Sequence, residues 1–161
     1  MMETMMKRLM ARVAVLLIFS AVLAAQTKPN FAGKWVATDP AAAQGMGGTG
    51  SPLTVTQDEK TLKVTAATQM GEIQTPYNLD GSQARSALDF NGNSIDRTTK
   101  LKWDGDKLIL STALDFQGNP FELMQVWTID ASGNLVIEST RPDFQGGGAL
   151  VTTKTSFKKQ S

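Results

Sequence analysis

Histidine and cysteine do not occur anywhere in the 161 residues. Their absence excludes Ser-His and Cys-His nucleophilic sites, haem ligation by histidine and ordinary zinc sites. It also excludes disulfide bonds and acylation of a cysteine at a lipoprotein cleavage site. The chemistry left to the chain is that of carboxylates, hydroxyls, amides and basic side chains. We therefore predict that the protein is not an enzyme and carries no metal or other cofactor.

Neither sign of charge is in excess, because 16 basic side chains face 15 acidic ones and the net charge is +1. A chain that binds nucleic acid or an anionic membrane surface usually carries a basic patch or stripe. We therefore predict no nucleic-acid partner. The glycine-rich segment 45–50 is not a phosphate-binding loop, since it lacks the following lysine and a strand–helix context.

Long apolar runs are missing after residue 25, and the run at 13–25 is shorter than the roughly 20 residues of a membrane-spanning helix. Basic residues precede this run and small residues close it, which is the order of a secretory signal peptide. We predict that residues 1–25 are a signal peptide, cleaved after Ala24 or Ala25. Residues 26–161 then form one exported domain, periplasmic or extracellular, without stable membrane insertion. The alternative is an uncleaved membrane anchor.

Three basic side chains precede the apolar run of the predicted signal peptide, and they are Lys7, Arg8 and Arg12. Several start sites of translation are open, at Met1, Met2, Met5 and Met6. Loss of residues 1–25 would remove three basic side chains and Glu3, so the mature chain stays close to neutral.

After Gly33 the chain alternates short β-type runs with turn signals, and no segment has the period of an amphipathic helix. The predicted strands are residues 33–38, 52–58, 61–69, 72–79, 82–89, 93–103, 107–114, 120–130, 134–141 and 147–157. The glycine-rich connection 39–52 allows at most one helical turn, at 40–44. It is either a mobile loop over one barrel mouth or a plain connection.

Two kinds of turn alternate along these strands. One kind is tight and acidic, at 58–60, 80–81, 104–106 and 130–133, and we interpret the third of these as a turn and not a calcium loop. The other carries the motif Asp-Phe-x-Gly, which begins at Asp89, Asp115 and Asp143. Successive turns of a meander lie at opposite ends of the sheet, so each kind should occupy one end. Closure removes exposed edges, so we predict an all-β fold, a single antiparallel up-and-down β-barrel of eight to ten strands.

Alternation along each strand predicts which side chains face the barrel interior. The predicted interior is apolar toward the acidic turns and polar toward the Asp-Phe-x-Gly turns. Candidate ligand-binding residues on the polar part are Tyr77, Arg97, Gln125 and Arg141. In this interpretation an amphiphile places its tail among the leucines and its anionic head on Arg97, Arg141 or Tyr77. The alternative is that both arginines lie at the rim and pair with the aspartates of the Asp-Phe-x-Gly turns.

The phenylalanines of the repeated motif, Phe90, Phe116 and Phe144, gather at one barrel mouth. They form either an apolar lip for a ligand or partner, or a plug that folds back into the barrel end.

The segment Phe31-Ala-Gly33-Lys34-Trp35 and the hairpin Trp103-Asp-Gly-Asp-Lys-Leu108 resemble those of the lipocalins, the fatty-acid-binding proteins and bacterial lipocalin-like proteins, which are calycin barrels. The resemblance implies that Trp35 closes the barrel bottom beneath an arginine from a late strand, for which Arg141 is the candidate. The last strand departs from the fatty-acid-binding proteins, because it lacks their Arg-x-Tyr pair. The helical lid between their first two strands is absent as well.

These features predict an exported binding protein that holds a small apolar or amphipathic molecule in a β-barrel. Fold resemblance alone does not assign a function. The alternative is a protein-interaction module of the cell envelope, either a scaffold or an inhibitor of a secreted hydrolase, with a filled barrel. The sequence does not identify the ligand or the protein partner.

Overall fold

All ten strands predicted from the sequence are present. The computed structural model describes residues 28–44, 49–90, 92–116, 118–143 and 146–161, and the predicted signal peptide lies outside them. The strands are β1 (Gly33–Ala37), β2 (Leu53–Gln57), β3 (Thr61–Thr68), β4 (Gly71–Asn78), β5 (Ala84–Phe90), β6 (Asn93–Asp104), β7 (Lys107–Phe116), β8 (Asn119–Ile129), β9 (Leu135–Pro142) and β10 (Leu150–Gln160). One helical turn, α1 (Pro40–Gln44), follows β1 at the place where the sequence allows it.

The strands form one antiparallel sheet in the order β4-β3-β2-β1-β10-β9-β8-β7-β6-β5. The first and last strands pair with each other, so that Lys34 lies opposite Gln160. The sheet curls into a nearly closed up-and-down barrel whose two edges are β4 and β5. The predicted fold class is therefore confirmed, with ten strands and not eight. The architecture is compatible with the calycin barrels that the sequence resembles.

The acidic turns owe their shape to hydrogen bonds from the backbone to the aspartate side chains. Asp58 Oδ1 accepts from the amides of Lys60 and Thr61, both at 2.7 Å. Asp80 and Asp130 accept from the residues that follow them in the same way. These bonds favour the ionised carboxylates, so the pKa of each of the three lies below its ordinary value. The turns lie at one end of the barrel, which we call the acidic-turn end.

The Asp-Phe-x-Gly turns lie at the opposite end, as predicted from the meander, and here too the aspartate caps its own turn. Asp89 Oδ1 accepts from the amide of Gly92 at 3.0 Å, and Asp115 Oδ1 accepts from the amide of Gly118 at 2.8 Å. In its first two copies the repeated motif is therefore explained by a hydrogen bond within the turn, from the glycine amide to the aspartate side chain.

The acidic-turn half of the barrel is filled by apolar side chains. Phe31, which precedes β1, is completely buried, with its ring centroid 6.1 Å from that of Trp103 and 5.8 Å from that of Trp127. Trp35 Nε1 donates to the carbonyl oxygen of Phe31 at 2.9 Å. Around these rings pack Leu53, Val55, Leu62, Leu101, Leu108, Leu110, Leu135, Ile137 and Phe157. Phe31 and Trp35 therefore close the acidic-turn end of the barrel, at the point where the chain enters β1.

Burial decreases along the strands toward the other end of the interior. On β10 the inward-facing Phe157 is completely buried and Thr155 is buried, whereas Thr153 is exposed. On β8 the inward-facing Trp127 is buried and Leu123 is half-buried. On β8 and β10 the inner face thus becomes accessible to solvent toward the Asp-Phe-x-Gly turns, whereas Ile95 of β6 and Leu114 of β7 stay buried near that end. We call the end with the Asp-Phe-x-Gly turns the open end.

The single turn α1 lies at the open end, on the side of β1 and β3. Ala43 is 1% exposed, and its carbonyl oxygen accepts from the amide of Gly50 at 2.9 Å. Gln44 Nε2 donates to the carbonyl oxygen of Ser51 at 2.8 Å. These bonds join the two described ends of the connection to each other, and the amide of Ser51 attaches it to β3 by donating to the carbonyl oxygen of Ala67 at 2.9 Å.

Candidate ligand-binding site

A layer of polar side chains crosses the interior between the apolar core and the open end. The buried members are Tyr77, Arg97, Thr99, Thr112, Ser139 and Thr155. They come from β4, β6, β7, β9 and β10, so the layer surrounds much of the interior. The polar layer lies on the Asp-Phe-x-Gly side of the apolar core, as predicted, but the side chains beyond it are largely apolar, so the interior does not stay polar up to that end.

Tyr77 lies in this layer, on the strand that forms one edge of the sheet. Its hydroxyl is 3.3 Å from Thr112 Oγ1, and either oxygen is able to donate. Burial raises the pKa of Tyr77, while the hydrogen bond with Thr112 and the positive charge of Arg97 act in the opposite direction. The phenol is therefore neutral at ordinary pH and available both as a donor and as an acceptor.

Arg97 is buried, with 5% of its surface exposed, and it bridges β6 to β4. Its Nη1 donates to Thr75 Oγ1 at 2.9 Å and its Nη2 donates to the carbonyl oxygen of Gln74 at 2.6 Å. Burial lowers the pKa of Arg97 from its ordinary value, with a small opposing effect from Tyr77. Within the described residues no Asp or Glu pairs with Arg97. The alternative from the sequence, in which this arginine pairs with an aspartate of the Asp-Phe-x-Gly turns, is therefore not observed in that part of the chain.

Gln125 occupies the same face on the other side of the barrel. Its Oε1 accepts from Trp127 Nε1 at 3.0 Å, so the amide is anchored to the apolar core. Across the ladder Gln125 lies opposite Ser139 of β9. Gln125 itself is half-buried.

Arg141 lies one step nearer the open end than Ser139 and is half-buried. Its Nη1 donates to the carbonyl oxygen of Pro142 at 3.3 Å. Among the described residues, Arg141 Nε and Ser139 Oγ are buried and have no hydrogen-bond partner. Tyr77 and Arg97 are therefore neighbours on one side of the layer, while Gln125 and Arg141 flank Ser139 on the other.

Trp35, the predicted barrel-closing residue, is buried at the acidic-turn end with 2% of its surface exposed. Its ring lies beneath Lys159, whose Nζ is 5.4 Å from the ring centroid. Arg141 pairs with Val151 at the other end of β10. The cation against Trp35 is therefore Lys159, and the tryptophan–arginine contact that the resemblance implies for Arg141 does not form.

The three mouth phenylalanines were predicted to form a lip or a plug. Phe144 and the side chains of Phe90 and Phe116 lie outside the described residues. The leucines among which an amphiphile's tail was expected include Leu108 and Leu110 of β7, and these two are buried in the core.

Sequence reasoning did not single out several small hydroxyl residues of the interior as candidate site residues. Ser86 and Ser139 face the interior and, among the described residues, both have a buried oxygen without a hydrogen-bond partner. Thr75 and Thr99 also face inward and bond across the boundary between β4 and β6. Alternation predicts the face on which each side chain lies, but it carries no information on which hydroxyls lack a partner.

A shallow depression of about 570 Å³ lies outside the polar layer, at the open-end termini of β6, β7 and β8. Its rim carries three carboxylates, those of Asp96, Asp115 and Glu122. Its apolar lining includes Ala113, Leu114, Pro120 and Phe121. This depression was not predicted from the sequence.

The described chain contains no group of three or more acidic side chains arranged to hold a metal ion. In the same residues we find no helix long and apolar enough to cross a membrane. No protein-family model matches the chain, and no curated protein matches it either.

Proposed function

We propose that the barrel binds a small amphipathic molecule in the polar, open-end half of its interior. Five buried side-chain atoms of the described chain have no hydrogen-bond partner, and one of them, Thr49 Oγ1, belongs to the connection between β1 and β2. The observation that carries this proposal is the other four, which lie on strands of the barrel: Ser86 Oγ, Arg97 Nε, Ser139 Oγ and Arg141 Nε. Buried polar groups are nearly always hydrogen-bonded, and leaving one without a partner costs about 1–3 kcal/mol. Four buried polar atoms without a partner in the open-end half of the barrel therefore indicate a surface that binds a polar group of a ligand.

The packing of the interior determines which part of the ligand lies deep in the barrel and which part lies near the mouth. The acidic-turn half is filled by the apolar core, so a molecule that enters from the open end meets the polar layer at the bottom of its path. The half-buried side chains above that layer are largely apolar, namely Ile73, Leu88, Phe121, Leu123 and Val151. The polar head would then lie deep in the barrel, and the apolar part would lie nearer the mouth.

The proposed activity is binding and not catalysis, because the sequence offers neither histidine nor cysteine to act as base or nucleophile. We also propose that the protein works in the periplasm or outside the cell. This part rests on the signal-peptide order of residues 1–25 alone.

Native mass spectrometry of the protein purified from its own host, before and after organic extraction, tests the proposal directly. We expect a bound small molecule that is released on extraction. The same preparation should then take up an anilinonaphthalene sulfonate, which is itself an anionic amphiphile. A clean protein mass together with no uptake of this probe would contradict the proposal and favour the protein-interaction module.

A matched pair of variants locates the binding. Ser139→Leu fills the polar layer from inside, whereas Ser111→Leu adds the same side chain to the outer face of β7. We expect the first variant to lower probe affinity at least tenfold and the second to leave it unchanged. Equal affinities of two variants that unfold at similar temperatures would place the probe outside the barrel interior.

A further inference from the structure

The buried guanidinium of Arg97 has no negative charge beside it in the described part of the chain. The side chain is 5% exposed, and the groups that it bonds are neutral, a threonine hydroxyl and a backbone carbonyl. A buried charge is costly unless it is paired as well as hydrogen-bonded. Burial correspondingly lowers the pKa of Arg97. The interior therefore contains one positive charge for which the described chain supplies no counter-charge.

The donors that Arg97 does not use point to a specific site. Nη1 and Nη2 bond to β4, while Nε has no partner among the described residues. Ser86 lies directly opposite Arg97 on β5, and its Oγ is buried and equally without a partner in that part of the chain. Directly opposite residues share a face, with Cβ atoms about 4.5–5.5 Å apart. One N–H and one O–H donor are thus adjacent on the inner face.

We propose that Arg97 Nε and Ser86 Oγ bind the carboxylate of a singly charged amphiphile, at the boundary where β5 and β6 face β4. This inference rests on the proposed function and adds the chemical class of the ligand and the residues that recognise its head. A carboxylate offers two acceptor oxygens to the two donors and one negative charge to the one arginine. A phosphate dianion would bring a second charge for which this site has no second cation.

Arg141 does not offer an equivalent site, although its Nε also lacks a partner among the described residues. It is only half-buried, so solvent screens its charge and the gain from pairing it is smaller. The difference in burial assigns charge recognition to Arg97 and leaves Arg141 as a secondary contact nearer the mouth.

Two ligands that differ only in the head test the inference. Dodecanoate and dodecanol share the same tail, and both are titrated by displacement of the fluorescent probe from the full-length protein at neutral pH. We expect dodecanoate to bind at least tenfold more tightly, because a hydrogen bond between charged partners is the stronger kind. Equal affinities would overturn the carboxylate site while leaving the proposed function intact. Binding of neither ligand, with no uptake of the probe, would overturn both.

Matched serine variants identify the residues. Ser86→Ala removes one donor of the site, and Ser111→Ala removes an outward-facing hydroxyl from a neighbouring part of the sheet. We expect Ser86→Ala to reduce dodecanoate affinity about three- to tenfold without changing dodecanol affinity. Arg97→Lys keeps the charge but lacks Nε, so it should lose most of the preference for dodecanoate. A preference that is unchanged in both site variants, each folded by circular dichroism, would overturn the assignment.

Discussion

Arg97 of β6 donates hydrogen bonds to Thr75 Oγ1 and to the carbonyl oxygen of Gln74, and it thereby joins β6 to β4. Thr99 Oγ1 adds a bond to the carbonyl oxygen of Pro76. In the described chain β4 and β5 are the two edges of the sheet. Proline has no backbone N–H to donate to a neighbouring strand, so a regular ladder is blocked at Pro76. Side-chain hydrogen bonds from β6 to β4 therefore connect the two edge regions of the barrel where backbone hydrogen bonds do not form.

Thr75→Val should therefore weaken the attachment of β4. The variant keeps the shape of the side chain but leaves an arginine donor without its acceptor, so we expect a loss of about 1.5–3 kcal/mol in the free energy of unfolding. Urea denaturation measures it, and hydrogen exchange should quicken in β4. Thr54→Val on the exposed face of β2 is the control and should change stability little. Equal effects of the two changes would show that the bond to Arg97 contributes nothing.

Phe31→Ala should destabilise the barrel strongly. The ring is completely buried between Trp103 and Trp127, so its removal should cost about 3–5 kcal/mol. Lys28→Ala is the control. Its Nζ lies 5.1 Å from the Trp103 ring centroid, and loss of an exposed contact of this kind should cost at most about 1 kcal/mol. Chemical denaturation followed by tryptophan fluorescence distinguishes them, and a small loss in Phe31→Ala would mean that the barrel bottom closes without it.

Gly50→Ala should lower the free energy of unfolding more than Gly133→Ala, although the two glycines have nearly the same backbone angle φ. Gly50 has φ of 79° and Gly133 has φ of 80°, so a side chain at either position pays about 1–2 kcal/mol for the left-handed conformation. A Cβ at Gly50 would also lie 2.8 Å from the carbonyl oxygen of Ala67, whereas one at Gly133 would meet nothing within 4 Å. We expect Gly50→Ala to lose at least about 1 kcal/mol more than Gly133→Ala in urea denaturation. Similar losses would mean that the connection moves away from Ala67 at little cost.

Acid should destabilise the protein through its acidic turns. The hydrogen bonds that Asp58, Asp80 and Asp130 accept lower the pKa of each carboxyl below its ordinary value of 3.8. The folded state therefore binds these protons less readily than the unfolded state does. The resulting stability is fully present above pH 3.8 and is lost as pH falls through the lowered values.

Urea midpoints measured between pH 6 and pH 2.5 should therefore fall at the acidic end of the range. Asp58→Asn should be less stable than the wild type at neutral pH and should lose less on acidification. The control is Asp39→Asn, which lies outside the three acidic turns, and it should follow the wild-type curve. A wild-type midpoint that stays constant down to pH 2.5 would contradict this linkage.

Much of the barrel could be predicted from local patterns. A period of two residues is a property of each strand by itself, so the inward face of β6, with Ile95, Arg97 and Thr99, was readable without knowing its neighbours. The acidic turns at Asp58 and Asp80 were readable for the same reason, because their hydrogen bonds join residues only two or three positions apart.

The candidate site was only partly predictable. Alternation placed Tyr77 and Arg97 inside, but it gave no sign that Thr112 would meet the tyrosine or that Ser86 would lie opposite the arginine. It also assigned an amphiphile's tail to the leucines of the interior, whereas Leu108 and Leu110 are buried in the same core as Phe31 and Trp35. These outcomes depend on contacts between residues far apart in the sequence.

The sequence by itself determined the positions of the strands along the chain, the alternation of turns at the two ends and the inward face of each strand. Each of these follows from the order of residues along one stretch of chain. The tertiary structure alone decided that β4 and β5 stay unpaired, that Arg97 bridges the boundary and that its Nε is left without a partner among the described residues. The reason is physical: hydrogen-bond satisfaction and burial are properties of a neighbourhood, and closure of the barrel creates that neighbourhood from distant strands.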